Sequence, residues 1–180
     1  DVERSRGLGD VYKRQLEDWP DGLLPHVKLD RDDVRRVVDV CSGCGCLGII
    51  AAHNFADAQV TLIELDPKAA ALARRNVRHH ALQDRVTVVE GDALEALADL
   101  APGSDLIISN PPYVDAADMA ALPLEYQHEP VLGLAGGDDG LSLVDAMLPL
   151  VVKQLAPGGL FVCEVGASEL AKKKKYQDWP

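Results

Sequence analysis

Asn110, Pro111, Pro112 and Tyr113 follow the apolar run Leu106-Ile107-Ile108, with Ser109 between. Two consecutive prolines rigidify a turn and remove two N–H donors, which leaves carbonyl oxygens as the backbone's polar groups. Asn110 adds a side-chain carbonyl. Together these form a fixed pair of acceptors for an NH2 group. A planar amide or amino nitrogen is a poor nucleophile because its lone pair is delocalised. Two acceptors on its hydrogens return electron density to it and aim it. Tyr113 supplies a flat wall for a planar amide or base. The motif itself needs no general base, since the proton can leave after transfer.

A second constellation lies upstream. "DVCSGCGCLG" at 39–48 contains Gly43-x-Gly45-x-x-Gly48, the spacing of a nucleotide-binding turn between a strand and a helix. Glycine lets the backbone approach a ligand, and a helix amino terminus offers unbonded N–H groups. Glu64 closes the next apolar run, where an acid commonly accepts from ribose hydroxyls. Asp92, in "EGDAL" at 90–94, is placed to accept from an adenine amino group. Asp39 precedes the glycine turn. An acid there repels a pyrophosphate but suits an ammonium. An adenosine with a cationic tail is S-adenosylmethionine, so the expected cofactor is that molecule. A nicotinamide dehydrogenase would account for the glycine turn but not for the Asn-Pro-Pro-Tyr turn.

These residues need a scaffold that brings strand ends together. Short, nearly continuous apolar runs occur at 35–41, 58–66, 85–91, 104–110 and 158–166, as in strands covered on both faces. Helical patterns alternate with them. "DPKAAALARRNVRHH" at 66–80 starts with an Asp cap and Pro at the first helical position. Residues 139–159 place Leu141, Val144, Leu148, Val151 and Leu155 on one face, with a kink or open turn expected at Pro149. Shorter helices are expected from Gly45 to His53 and from Leu94 to Leu100. The alternation predicts an α/β fold: a doubly wound, mostly parallel, Rossmann-like sheet.

The chain has 180 residues, 47% of them hydrophobic, and a formal net charge of −11. One domain with a sizeable core is expected. The acidity counts against a phosphate-backbone binder and favours basic partners. No run approaches a membrane span and no signal peptide opens the chain, so a cytoplasmic location is expected. Cys41, Cys44, Cys46 and Cys163 fit no secreted disulfide framework and read as reduced packing residues, with no metal expected. His79 and His80 suit a helix carboxyl end. His128 and Glu129 read as a loop contact supporting the Asn-Pro-Pro-Tyr turn in preference to a catalytic pair. Lys172 to Lys175 read as a solvated helix face.

With "VCSGCGCLGI", "SNPPYV", "LPLEYQHEP" and "VCEVG" in view, the chain resembles the protein-(glutamine-N(5)) methyltransferases, which are class I S-adenosylmethionine-dependent enzymes. Within them it is most similar to the branch acting on large ribosomal subunit protein three. The resemblance runs from about Trp19 to Pro180. It implies that Cys41, Ser42, Gly43, Cys44, Gly45, Glu64, Asp92 and Asn110 line the cofactor site, joining Asp39, which is read from its charge. It implies that Asn110, Pro111, Pro112 and Tyr113 hold the acceptor amide. It implies a protein partner: a basic ribosomal protein, alternatively a release factor, with no membrane and no direct nucleic-acid binding. An amino-methyltransferase of DNA or RNA bases is the other alternative. Cys41 stands where broader class I enzymes have glycine. The family carries an amino-terminal helical domain and two further strands. Residues 1–18 therefore read as a non-native or remnant segment, "GDVYKRQ" at 9–15 resembling translated adapter sequence. Residues 19–180 read as a cofactor domain lacking its last two strands.

Overall fold

The computed structural model describes residues 29, 31–111 and 142–164. Among the described residues, five strands alternate with four α-helices: β1 (Arg36–Val40), α1 (Cys46–Asn54), β2 (Gln59–Glu64), α2 (Pro67–His79), β3 (Val86–Glu90), α3 (Ala93–Asp99), β4 (Ser104–Ser109), α4 (Ser142–Gln154) and β5 (Leu155–Cys163). The strands form one parallel sheet in the order β3-β2-β1-β4-β5. The chain moves outward from β1 to β3, then crosses back to lay β4 on the other side of β1. Such a reversal opens a crevice at the carboxyl ends of the central strands. The doubly wound α/β fold read from the sequence is the one observed. The two further strands, the leading segment, Pro112, Tyr113, His128, Glu129 and Lys172 to Lys175 lie outside the described residues.

The central strands β1, β2 and β4 bury both faces because helices cover both. On one face, Val37, Val60, Leu62, Leu106 and Ile108 pack with Ile49, Ala52, Ala73 and Val77 of α1 and α2. On the other, Val38, Val40, Ile63 and Ile107 pack with Leu97 of α3 and with Val144, Met147 and Val151 of α4. That double burial is why the strands read as continuous apolar runs rather than alternating ones.

Helix α2 starts as its sequence dictates. Asp66 Oδ1 accepts the Lys68 N–H at 3.0 Å, and Pro67 occupies the first helical position. Helix α1 is fastened at its far end by Arg85, whose guanidinium donates to the carbonyls of Ala52 (2.9 Å), Phe55 (3.2 Å) and Ala58 (3.1 Å). The Ala52 and Phe55 carbonyls lie at the negative pole of the helix, so a cation there is also favourable to the dipole. Beside it, His53 Nε2 and His80 Nδ1 stand 3.2 Å apart and join the ends of α1 and α2. At the amino end of β1, Asp105 Oδ2 accepts the N–H groups of Arg35 (2.8 Å) and Arg36 (2.9 Å).

The fourth helix departs from expectation at its end. It stops at Gln154, and Leu155 enters the sheet opposite Ser104. The buried face is Val144, Met147, Val151 and Gln154, rather than a stripe ending on Leu155. Gly103 N–H donates to the Gln154 carbonyl at 2.8 Å, so the helix end is satisfied by the loop before β4. The register between β4 and β5 then slips between Ser104 and Leu106, which accommodates Ala156 to Gly159. Pro149 lies inside the helix without ending it. Among the described residues, no helix is long and apolar enough to cross a membrane.

Candidate active site

The loop from β1 to α1 is built around unusual backbone angles. Cys41 has φ +60°, Gly43 +56° and Gly45 +81°. Only glycine adopts such angles without strain, so Cys41 occupies a glycine-type conformation with a side chain attached. Gly45 caps α1, and a Cβ there would press into Leu62 at 2.8 Å. At Gly48, in the first turn, a Cβ would overlap the Leu62 side chain and meet Asp39 Oδ2 at 3.1 Å. Helix α1 therefore lies almost on the sheet. Gly43 differs: a Cβ built on it meets nothing within 4 Å, so open space lies beside this part of the loop.

Two carboxylates shape the loop. Glu64 Oε2 accepts the Gly43 N–H at 2.6 Å and its Oε1 accepts the Asp66 N–H at 2.8 Å. A carboxylate offers about four lone-pair positions, so two remain for a ligand's donors. Asp39 is buried (1% exposed), and its Oδ2 accepts the Gly48 N–H at 2.8 Å. Its Oδ1 is buried with no hydrogen-bond partner. Burial pushes this carboxyl up to about 7, opposed by the Gly48 N–H and assisted by the charges of Cys44 and Glu64. Burial likewise pushes the Cys41 thiol up to about 12, with the Glu64 and Asp39 carboxylates adding to it and a Ser109 hydrogen bond opposing it.

Asp92 caps α3: its Oδ1 accepts from the N–H groups of Leu94 (2.8 Å) and Glu95 (3.1 Å). The sequence expectation for Asp92 is a ligand contact only. The structure adds a local role, and no bond to Oδ2 is seen among the described residues. Gly91 N–H donates to the Glu64 carbonyl at 2.9 Å, which ties the β3 end to the β2 end.

At the end of β4, Ser109 donates to the Val40 carbonyl at 2.9 Å. Asn110 comes next, half-buried, with its Oδ1 buried and unpartnered; Pro111 is buried. Ser42 Oγ is also buried without a partner. Burying such atoms unpaired costs about 1–3 kcal/mol each, a cost a ligand's donors would remove. Asp92, Glu64, the Cys41–Gly45 loop and Asn110 thus line the carboxyl edge of β3, β2, β1 and β4 in order. Three contributions depend on tertiary neighbours rather than on a local sequence pattern. Asn76 of α2 donates to the Cys44 carbonyl at 2.9 Å and steadies the loop. Ser109 braces the β1 end. Glu164, which follows β5, is 3% exposed with both carboxyl oxygens unpartnered. Among the described residues, no group of three or more His, Cys, Asp or Glu side chains is placed to hold a metal ion.

Comparison with known proteins agrees with this architecture. The methyltransferase small domain family matches residues 16–124. The chain is 46% identical over 146 residues to a ribosomal protein uL3 glutamine methyltransferase of Bordetella pertussis, covering 81% of this chain and 48% of that protein. It is 40% identical over 151 residues to the protein of the same name from Francisella tularensis, covering 84% and 48%. The chain thus spans about half the length of these relatives. The crystal structure of precorrin-6y C5,15-methyltransferase from Geobacter metallireducens superposes with a TM-score of 0.57 at 18% identity, covering 83% of this chain and 63% of that one, a likeness of fold. The glycine turn, the order of the strands and the family match together make this chain a member of the methyltransferase small domain family.

Proposed function

We propose that the protein transfers a methyl group from S-adenosylmethionine to the side-chain amide nitrogen of a glutamine in ribosomal protein uL3, in the cytoplasm. The observation that carries this reading is the row of acceptors on the carboxyl edge. Asp39 Oδ1, Ser42 Oγ and Asn110 Oδ1 are all buried and unpartnered, and Glu64 keeps spare lone pairs beside them. The residues present fit the cofactor. Acidic and carbonyl acceptors suit hydroxyls and an ammonium, and they repel a pyrophosphate. The open space beside Gly43 gives the ligand room against the loop.

S-adenosylmethionine, when bound, supplies an electrophilic methyl group on a sulfonium. Glu64 would take the ribose hydroxyls, Asp92 the adenine amino group and Asp39 the ammonium. The backbone of Cys41, Ser42, Gly43, Cys44 and Gly45 would form the wall. Asn110 Oδ1 and the carbonyl of Pro111 would hold the two hydrogens of the glutamine NH2, leaving its lone pair directed at the methyl carbon. Pro112 and Tyr113 would complete the turn and stack on the amide. The names and 40–46% identity of the Bordetella and Francisella relatives support uL3 as the substrate. The net charge of −11 supports attraction to a basic ribosomal protein.

The test is incubation of the full-length protein with radiolabelled S-adenosylmethionine and, in parallel, separated ribosomal proteins, release factors and ribosomal RNA, followed by mass spectrometry of the labelled species. Label on a glutamine of uL3 is the expected result. Label on a release factor redirects the substrate, and label on nucleic acid alone overturns the reading.

A further inference from the structure

Glu164 is the buried carboxyl that the reading above leaves without a task. Its N–H donates to the Ser109 carbonyl at 2.9 Å, which extends the β4–β5 ladder by one step past the pair Ser109–Cys163. Glu164 therefore stands beside Asn110, on neighbouring strand ends about 5 Å apart. Both continue the same side of the sheet. Ile108 and Val162, two residues earlier on each strand, pack into the α1/α2 core, whereas Ile107 and Cys163 pack on the other face. Neither carboxyl oxygen has a hydrogen-bond partner, although the residue is only 3% exposed. A core position would favour an apolar side chain there, because an unpaired buried acid is costly.

Its place in the strand order says what it meets. The cofactor-side acids Asp92 and Glu64 belong to the ends of β3 and β2, the glycine loop to β1 and the amide-holding Asn110 to β4. One strand further, on β5, lies the acceptor side of the reaction. Resting on the amide-methylation reading, we infer that Glu164 is a catalytic residue: its carboxylate faces the acceptor nitrogen, balances the positive charge arriving there and receives its proton. The lone pair of the amide nitrogen forms the N–CH3 bond as the methyl–sulfur bond breaks, its electron pair remaining on sulfur. The nitrogen then carries four bonds and a positive charge. One N–H proton passes to a Glu164 oxygen, leaving a neutral N-methyl amide and a carboxylic acid that returns its proton to solvent on product release. Burial raises the proton affinity of this carboxyl, which suits it to accept that proton.

The test compares Glu164→Gln and Glu164→Asp in the full-length protein. Glu164→Gln should lower kcat on the protein substrate by about 10²-fold or more, the range of a lost acid–base group. KM for the protein and the affinity for S-adenosylhomocysteine should stay within about threefold, because only a transition-state interaction is removed. Glu164→Asp keeps the carboxylate and should recover part of the rate. The ligand-free Gln variant should melt a few degrees higher, since an unpaired buried acid has been neutralised. A Gln variant with wild-type kcat, or one at least as active as Asp, overturns the role. So does a parallel loss of S-adenosylhomocysteine affinity, which would put Glu164 in the cofactor pocket. So does a lower melting temperature, which would make it structural. Wild-type protein that methylates no amide overturns the function reading together with this one, whereas an active wild type with an unaffected Gln variant overturns this one alone.

Discussion

The Glu64 carboxylate accepts the Gly43 N–H at 2.6 Å, so the acid at the end of β2 sets the shape of the glycine loop after β1. Its other oxygen holds the Asp66 N–H at 2.8 Å. One side chain thus organises two loops and still presents acceptors to a ligand. Glu64→Gln should weaken S-adenosylhomocysteine binding by roughly 10–100-fold, since an amide NH2 would face an N–H donor or a hydroxyl. It should also lower the melting temperature. Calorimetry and thermal melting of the variant measure both. Unchanged affinity with a lowered melting point would make Glu64 a loop brace only.

Asp39 makes stability depend on pH. Its folded value is raised from the ordinary 3.8 to about 7. The folded form therefore holds a proton that the unfolded chain releases. Its contribution is fully present below pH 3.8 and is lost as pH rises to about 7. The span corresponds to roughly 4 kcal/mol as an upper bound. Asp39→Asn, which keeps an acceptor for the Gly48 N–H, should flatten this slope and make the ligand-free protein more stable at pH 8. Urea titrations at two pH values measure it. If Asp39 meets the cofactor's ammonium, binding at pH 7 should release about half a proton per ligand. That release appears as a dependence of the calorimetric heat on the buffer's ionisation enthalpy.

Cys41 should be a slow thiol. With its proton affinity pushed up to about 12, its thiolate fraction at pH 8 is about 10⁻⁴. Cys46 is exposed. Iodoacetamide followed by peptide mass spectrometry should show Cys46 alkylated at least 100-fold faster than Cys41. Equal rates would contradict the buried, acid-flanked setting of Cys41.

Gly43 and Gly48 should respond oppositely to the same substitution. Gly48→Ala drives a methyl group into Leu62 and Asp39, and overpacking of this kind costs about 1–3 kcal/mol. Gly43→Ala meets nothing in the protein and costs only the strain of a left-handed backbone, about 1 kcal/mol. Its methyl group would occupy the open space proposed for the ligand. Melting should therefore suffer mainly at Gly48 and S-adenosylhomocysteine affinity mainly at Gly43, as scanning calorimetry and titration would show.

Much of this architecture was written in local chemistry. Val60 to Ile63 and Leu106 to Ile108 are apolar without interruption because helices cover both faces, and that pattern is visible in one dimension. Asp66-Pro67 announced a helix start because its cap is made within three residues. The end of α4 was not legible. Leu155 is equally at home on a helix face or in a strand, and its pairing with Ser104 across 51 positions decides the matter. The site follows the same division. Gly43, Glu64 and Asn110 stood out through type and spacing. Asp92 was read for a ligand, whereas its bonds to Leu94 and Glu95 show it capping a helix as well. Glu164 was visible only as a lone charge among apolar neighbours; its meaning depends on β5 lying beside β4, which no local pattern encodes.

The guanidinium of Arg85, holding three carbonyls at the far end of α1, has a thermodynamic counterpart at the near end. There the Gly48 N–H is held by Asp39, and Gly45 and Gly48 leave no gap against Leu62. A helix clamped at both ends has little freedom to give up. The N–H groups and loop backbone that meet a ligand are then in position before it arrives, and association spends little of its free energy on ordering the protein. On the proposed cofactor role of this loop, recognition would be insertion into a rigid slot more than closure around a guest.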